Sequence, residues 1–188
     1  SNLDTPMEIS GNHDNIIAVS CGSEYTAILK NNGTVFTFGD NSNGRTGQNT
    51  GSGNTTTPIE ISGNYIDIIA VSCGGEHTAI LKNNGTVFTF GKYNDGRLGL
   101  GNITNDALIP MEISGNHTDI IAVSCGGEHT AILKNNGTVL TFGKYNEGRL
   151  GQGNINSNIL TPIEISGNHT DIIAVSCGNI HTAILKNN

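Results

Sequence analysis

Residues 72–78 read SCGGEHT and bring a thiol, a carboxylate, an imidazole and two hydroxyls within seven positions. A nucleophile, a base and an orienting acid are the parts of acyl-transfer catalysis, and C-x-x-x-H is a spacing that can supply zinc ligands. The spacing recurs at Cys73/His77, Cys125/His129 and Cys177/His181, whereas Cys21 is followed by Tyr25. Enzymes build one asymmetric site, and zinc frameworks gather four ligands from clustered pairs. Letters that return at a fixed interval do neither, so the favoured reading is structural. On it, Cys21, Cys73, Cys125 and Cys177 are small hydrophobes on strands, and His77, His129 and His181 tie their rings to nearby groups. Neither catalytic residue, metal nor cofactor is expected. Four is an even number of cysteines. Equivalent positions of separate units should nevertheless lie beyond the roughly 7 Å that a disulfide spans, so the thiols are expected to be free, which fits a reducing compartment.

Two other motifs fail as sites. GRLGLGN (96–102) has the glycines of a phosphate loop. It lacks the Lys-Ser/Thr ending and leads into no helical pattern, so turn geometry accounts for it. Sequons such as Asn32-Gly33-Thr34 matter only to a chain that is secreted.

The elements that must position these residues follow from the interval itself. The four cysteines stand 52 residues apart, and residues 59–110 differ from 111–162 at only 11 positions without a gap. A period near 50 residues announces a repeat architecture. The units run 7–58, 59–110 and 111–162, with a partial unit at 163–188, in one repeat domain spanning 1–188. Within a unit, DIIAVSCG (67–74) reads as a strand buried on both faces, HTAILK (77–82) as a second and TVFTFG (86–91) as a third. Asn84-Gly85 is expected to supply the positive φ angles of a tight hairpin. PIEIS (58–62) is a fourth strand, begun after a Pro that suits an edge. Four short antiparallel strands per unit make an all-β fold of propeller blades; a β-solenoid is the competing architecture.

The pattern IIAVSCGGEHTAIL, GTVFTFG and GRLG resembles the repeat of the regulator of chromosome condensation family, with Phe88 and Phe90 where the family carries Tyr and Trp. The resemblance implies a seven-bladed propeller with IIAVSC innermost, then HTAIL, TVFTF and PIEI outwards. By register Ser1 and Asn2 correspond to Ser157 and Asn158, so they read as native sequence. The chain is expected to open on an outermost strand, PMEIS (6–10), and to stop after two strands of a last blade. That makes three full blades with partial blades at both ends, and open edges of this kind favour self-association of two copies.

Function is then expected on loops. The CGGEH corners and the long connections after TVFTFG share one face, and the differences between units fall at 95, 100, 104–107 and 109 on those connections. Candidate partner-binding residues there are Asp40, Asn41, Arg45, Tyr93, Asp95, Arg97, Tyr145, Glu147 and Arg149. Each Arg has an equal alternative role, pinning its own loop to its blade. The expected function is a non-catalytic protein-interaction scaffold. The family's best-known activity, guanine-nucleotide exchange on a small GTPase, is the alternative, although no unit carries the inserted wedge associated with it. A protein inhibitor of an enzyme is a further reading. A net charge of −7 without a basic run argues against nucleic acid and anionic membranes as partners. The absence of Trp excludes the light sensing known in the family, and no apolar run approaches a membrane span, so the chain reads as soluble.

Overall fold

The computed structural model describes residues 5–9, 11, 13–167 and 169–187. The first blade is β1 (Ile16–Cys21), β2 (Tyr25–Lys30), β3 (Val35–Asp40) and β4 (Asn54–Glu60). The second is β5 (Ile68–Cys73), β6 (His77–Lys82), β7 (Val87–Gly91) and β8 (Ala107–Glu112). The third is β9 (Ile120–Cys125), β10 (His129–Lys134), β11 (Val139–Gly143) and β12 (Ile159–Glu164). A two-stranded sheet of β13 (Ile172–Cys177) and β14 (Thr182–Lys186) follows. Each full blade is an antiparallel meander in chain order, with β1, β5 and β9 on its inner edge. This is the all-β, partial-propeller architecture expected from the repeat. Among the described residues no helix is long and apolar enough to cross a membrane.

The hydrophobic cores lie between blades rather than within them. Ala27, Leu29 and Val35 of the first blade pack with Ile68, Ile80 and Phe90 of the second. Leu81 and Val87 meet Ile120, Ile132 and Phe142 in the next seam, and Leu133 and Val139 meet Ile172 and Ile184 in the last. Each buried aliphatic or aromatic side chain contributes about 1.5–3 kcal/mol, so the seams hold the blades together.

The strands depart from expectation in physically instructive ways. The second strand of each blade, not the first, is buried on both faces; Ile69 and Ile121 are 52% and 53% exposed. A register shift between Ile68 and Ala70 lifts Ile69 out of the ladder, and β5 is an edge strand with one free side. In the hairpin, only Gly85 has positive φ, at +82°. The Gly85 amide donates to the Lys82 carbonyl at 3.0 Å, and the Asn84 side chain accepts from the Thr86 amide at 3.1 Å. Asn84 is therefore a capping residue of a right-handed turn, and Gly alone takes the left-handed position. The fourth strand runs through its Pro rather than starting after it, as Pro58 in β4 and Pro110 in β8 show. Both strands are outermost, so the missing amide donor is not needed. Residues 6–9 of the expected opening strand are exposed and form no strand, and Ser10 lies outside the described residues. An outermost strand pairs only with a third strand, and β3 is already taken by β4.

Candidate functional site

The corner motif sits where each inner strand turns into the second strand, and its groups reach across the seam to the neighbouring blade. Ser20 Oγ accepts from the Cys73 amide at 2.9 Å, Ser72 Oγ from Cys125 at 2.9 Å and Ser124 Oγ from Cys177 at 2.8 Å. His77 Nε2 lies 2.8 Å from Thr130 Oγ1, and His129 Nε2 lies 2.9 Å from Thr182 Oγ1. Those threonines donate to the carbonyls of Arg97 and Arg149 at 2.9 and 2.7 Å. A hydroxyl that donates elsewhere must accept from the ring, so both histidines carry a proton on Nε2. Their Nδ1 atoms are buried without a partner. The glycines are there because the rings are: a Cβ at Gly74 would lie 2.5 Å from His77 Cε1 and 2.5 Å from the Gly126 carbonyl oxygen.

Tyr25 replaces His in the first blade and keeps the seam. Its hydroxyl donates to the His77 carbonyl at 2.5 Å and stands 2.9 Å from Thr78 Oγ1.

Beside this row runs a ladder of alternating charge. Arg45 reaches Glu24 at 3.6 Å and Asp40 at 3.3 Å in its own blade, and Glu76 at 3.4 Å in the next. Arg97 lies 3.5 Å from Glu76, 3.0 Å from Asp95 and 3.6 Å from Glu128. Arg149 meets Glu128 at 3.2 Å, but Ile180 stands where the following acid would be. Lys92 and Lys144 cap Glu76 and Glu128 at 2.8 Å each. Each guanidinium Nε also donates to a carbonyl of its own turn, at Ser42, Asn94 and Asn146.

Ionisation follows from burial and these partners. Burial, then the Arg97 and His129 charges, push the His77 ring well below its ordinary value, overcoming a hydrogen bond that the ring donates to the His129 backbone. Burial with Arg149 and His181 lowers His129 to about 4. Burial raises the Cys73 thiol to about 11 and Cys125 further, so both stay protonated and inert as nucleophiles. Burial works to raise Glu128, but the Lys144 hydrogen bond and charge, with Arg97 and Arg149, hold it below the usual range. Asp40 is likewise lowered, its desolvation outweighed by hydrogen bonds from Ser42 and by Arg45. All four cysteines are free thiols, with Cys21 exposed.

The structure divides the expected partner-binding residues. Arg45, Arg97 and Arg149 are 4%, 1% and 3% exposed, and Asn41 is buried with its amide on Thr50 and its oxygen on the Thr46 amide. All four are buried, and each guanidinium is already shared among acids of the blades. Asp95 joins two blades through Arg97 and the Asn158 side chain at 3.1 Å; Asn43 and Asp106 make the same link at 3.0 Å with donor and acceptor exchanged. Tyr145 is 38% exposed, Glu147 is exposed, and Tyr93 and Asp40 are half-buried. Sequence reasoning weighed the hydroxyls and the acid of the corner only as catalytic groups and did not name Ser20, Ser72, Thr78, Thr130, Glu24, Glu76 and Glu128 as seam contacts. Their signal was present: each recurs at the repeat interval within one residue of a polar partner type.

Comparison with known proteins agrees with this geometry. Residues 32–81, 84–133 and 136–185 match the model of the regulator of chromosome condensation (RCC1) repeat. The human protein named probable E3 ubiquitin-protein ligase HERC3 is 33% identical over 175 residues, which is 91% of this chain and 16% of the ligase. The Xenopus laevis regulator of chromosome condensation is 31% identical over 144 residues, 74% of this chain and 33% of that protein. Prp20p from Saccharomyces cerevisiae, described with its binding to Gsp1p and histones, superposes with a TM-score of 0.82 at 17% identity, covering 93% of this chain and 44% of its own. Human WBSCR16 gives 0.79 at 22% identity over 91% and 44%. The chain thus spans less than half of each of these proteins, and the structural likenesses speak for fold alone. Three consecutive matches, each spanning the last two strands of one blade and the first two of the next, carry the conclusion that this chain belongs to the regulator of chromosome condensation repeat family.

Proposed function

We propose that this chain is a non-catalytic protein-interaction platform whose partner meets the face of long connections. The observation that carries this reading is the division of labour in each unit. The Ser, His, Thr, Arg and Glu of the corner satisfy one another across the seams, so the chemistry of the motif is internal. Tyr145 and Glu147 are exposed on that face and Tyr93 and Asp40 are half-buried, in or next to connections whose residues differ between units. Aromatic and acidic groups on a rigid frame suit a protein partner of basic or mixed character.

The test is binding of purified chain to immobilised histones and to a small GTPase of the Gsp1p type, the partners named for Prp20p. A Tyr93→Ala/Tyr145→Ala/Glu147→Ala variant should bind at least tenfold more weakly while melting at the same temperature. Equal binding by parent and variant overturns the platform. Guanine-nucleotide exchange is the second reading, favoured by the Xenopus relative. It requires catalytic amounts of chain to accelerate nucleotide release, and unchanged release removes it. Self-association is supported by the end blades, where Val19 is 66% and Leu185 57% exposed. Light scattering that gives a monomer at high concentration rejects it.

A further inference from the structure

The second blade, which has a full blade on each side, carries an open pocket of about 320 Å³ on its outer rim. Asn102, Ile103, Thr104, Asn105, Asp106 and Met111 line it. Four of these differ from their counterparts 52 residues on: Asn156, Ser157, Asn158 and Ile163 stand for Thr104, Asn105, Asp106 and Met111. The volume is at the small end of the roughly 300–1,000 Å³ of ligand sites, a size for one side chain rather than a cofactor.

The frame holds the pocket in shape. The Gly101 amide donates to the Leu160 carbonyl of the third blade at 2.9 Å, and the Ile103 amide donates to the Gly101 carbonyl at 3.0 Å. Ile103 is half-buried against the core of the first seam, and Met111 is 43% exposed, so the walls are aliphatic. Asp106 is half-buried, with Oδ1 accepting from the Tyr93 amide at 3.1 Å and Oδ2 from Asn43 Nδ2 at 3.0 Å. Both donors are neutral. Among the described residues no Lys or Arg pairs with Asp106, whereas Asp40, Asp95 and Asp119 each meet one. Each carboxylate oxygen offers about two acceptor sites, so each keeps one unused. An acid partly withdrawn from water beside aliphatic walls complements a side chain with an apolar stem and a cationic head.

We propose that this pocket anchors one lysine or arginine side chain of the protein partner, with its stem along Ile103 and Met111 and its charged head on Asp106. The proposal rests on the platform reading for the partner and adds the residue type that the partner presents. It also distinguishes one unit of a nearly uniform array, because Asn54 and Asn158 occupy the place of Asp106 in the neighbouring units. The third blade shows what the neutral residue does there: Asn158 Oδ1 still accepts from the Tyr145 amide, at 3.2 Å. Asp106→Asn therefore removes the charge and keeps the bond that shapes the turn.

The probes are the peptide acetyl-Gly-Gly-Lys-Gly-Gly-amide and its Arg, Gln and Glu versions, titrated into the intact chain and followed by amide NMR shifts. Saturable shifts at residues 102–106 and 111 are expected with the Lys and Arg peptides, weaker in high salt, and none with Gln or Glu. Asp106→Asn should bind the Lys and Arg peptides about fivefold more weakly and melt at the parent temperature. Glu112→Gln, an exposed acid outside the pocket, should bind as the parent does. No saturable shift at millimolar Lys or Arg peptide, equal shifts with the Gln peptide, or parent-like binding by Asp106→Asn would each overturn the proposal. Should Asp106→Asn unfold, the Lys and Gln peptides compared on the parent chain decide. A chain that binds the Lys peptide but neither histones nor the GTPase would overturn the platform and support the pocket. Binding of those proteins without peptide binding would do the reverse.

Discussion

The seam between the second and third blades and the seam between the third blade and β13–β14 are built from the same residue types, yet only the first is closed. In the closed seam Phe142 is fully buried, and Arg97 is shared by Glu76 and Glu128. In the other, Gly151 packs against Ile165, and Arg149 has an acid on one side and Ile180 on the other. The difference teaches that a blade of this chain is not a self-sufficient unit. Its hydrophobic core and its ion pairs are completed by a neighbour, as in other repeat proteins where stability is a sum over interfaces.

The largest effect that separates the two seams should come from apolar packing. Phe142→Ala empties a filled socket and should cost about 3–5 kcal/mol, whereas Leu185→Ala on the open edge should cost less than about 1 kcal/mol. Urea unfolding measures both, and equal losses would break the comparison.

Charge comes next. Arg97→Ala removes a buried cation shared by two blades and is expected to cost about 3 kcal/mol, with Arg149→Ala about half of that. If the two variants unfold at the same urea concentration, the ladder does not depend on seam closure.

Acid should act on the two seams bridged by His77 and His129 before it titrates the carboxylates. His129, lowered to about 4, and His77, also lowered, bind protons more readily unfolded than folded. Their contribution is therefore complete above the ordinary histidine range and is lost as pH falls from about 6.5 towards 4, by at most about 3 kcal/mol for His129. Glu128 and Asp40, held low in the fold, contribute above the ordinary carboxylate range and are lost only at still lower pH. Urea midpoints at pH 7 and pH 4.5 should differ in the parent and converge in a His77→Gln/His129→Gln variant. A variant as acid-sensitive as the parent in that window would assign the effect elsewhere.

The smallest effect is a gain. Ile180→Glu restores the missing acid of the ladder beside Arg149 and should stabilise the chain by about 0.5 kcal/mol, less in high salt. A neutral or negative result would show that Arg149 is already satisfied by Glu128.

Much of this was legible in the order of residues. The 52-residue interval marks Cys73 and His77 as framework, and the apolar and Thr-rich runs mark four strands per unit. The Arg residues were readable only as alternatives, because partner contact and loop pinning use the same fork of donors. Ile69 and Pro58 misled for local reasons. A bulge and an outermost strand position are properties of pairing, and pairing is not written in a strand's own residues.

The sequence by itself determined the period, the blade and the identity of the residues in each corner, since these depend on patterning within one unit. Only the tertiary structure decided what the corner does. The serine and histidine bonds of the motif join residues 53 positions apart, from Ser20 to Cys73 and from His77 to Thr130, and such a pairing exists only when adjacent blades are stacked. Burial in that stack, not residue type, is what withdraws three arginines from solvent and silences two histidines and two thiols.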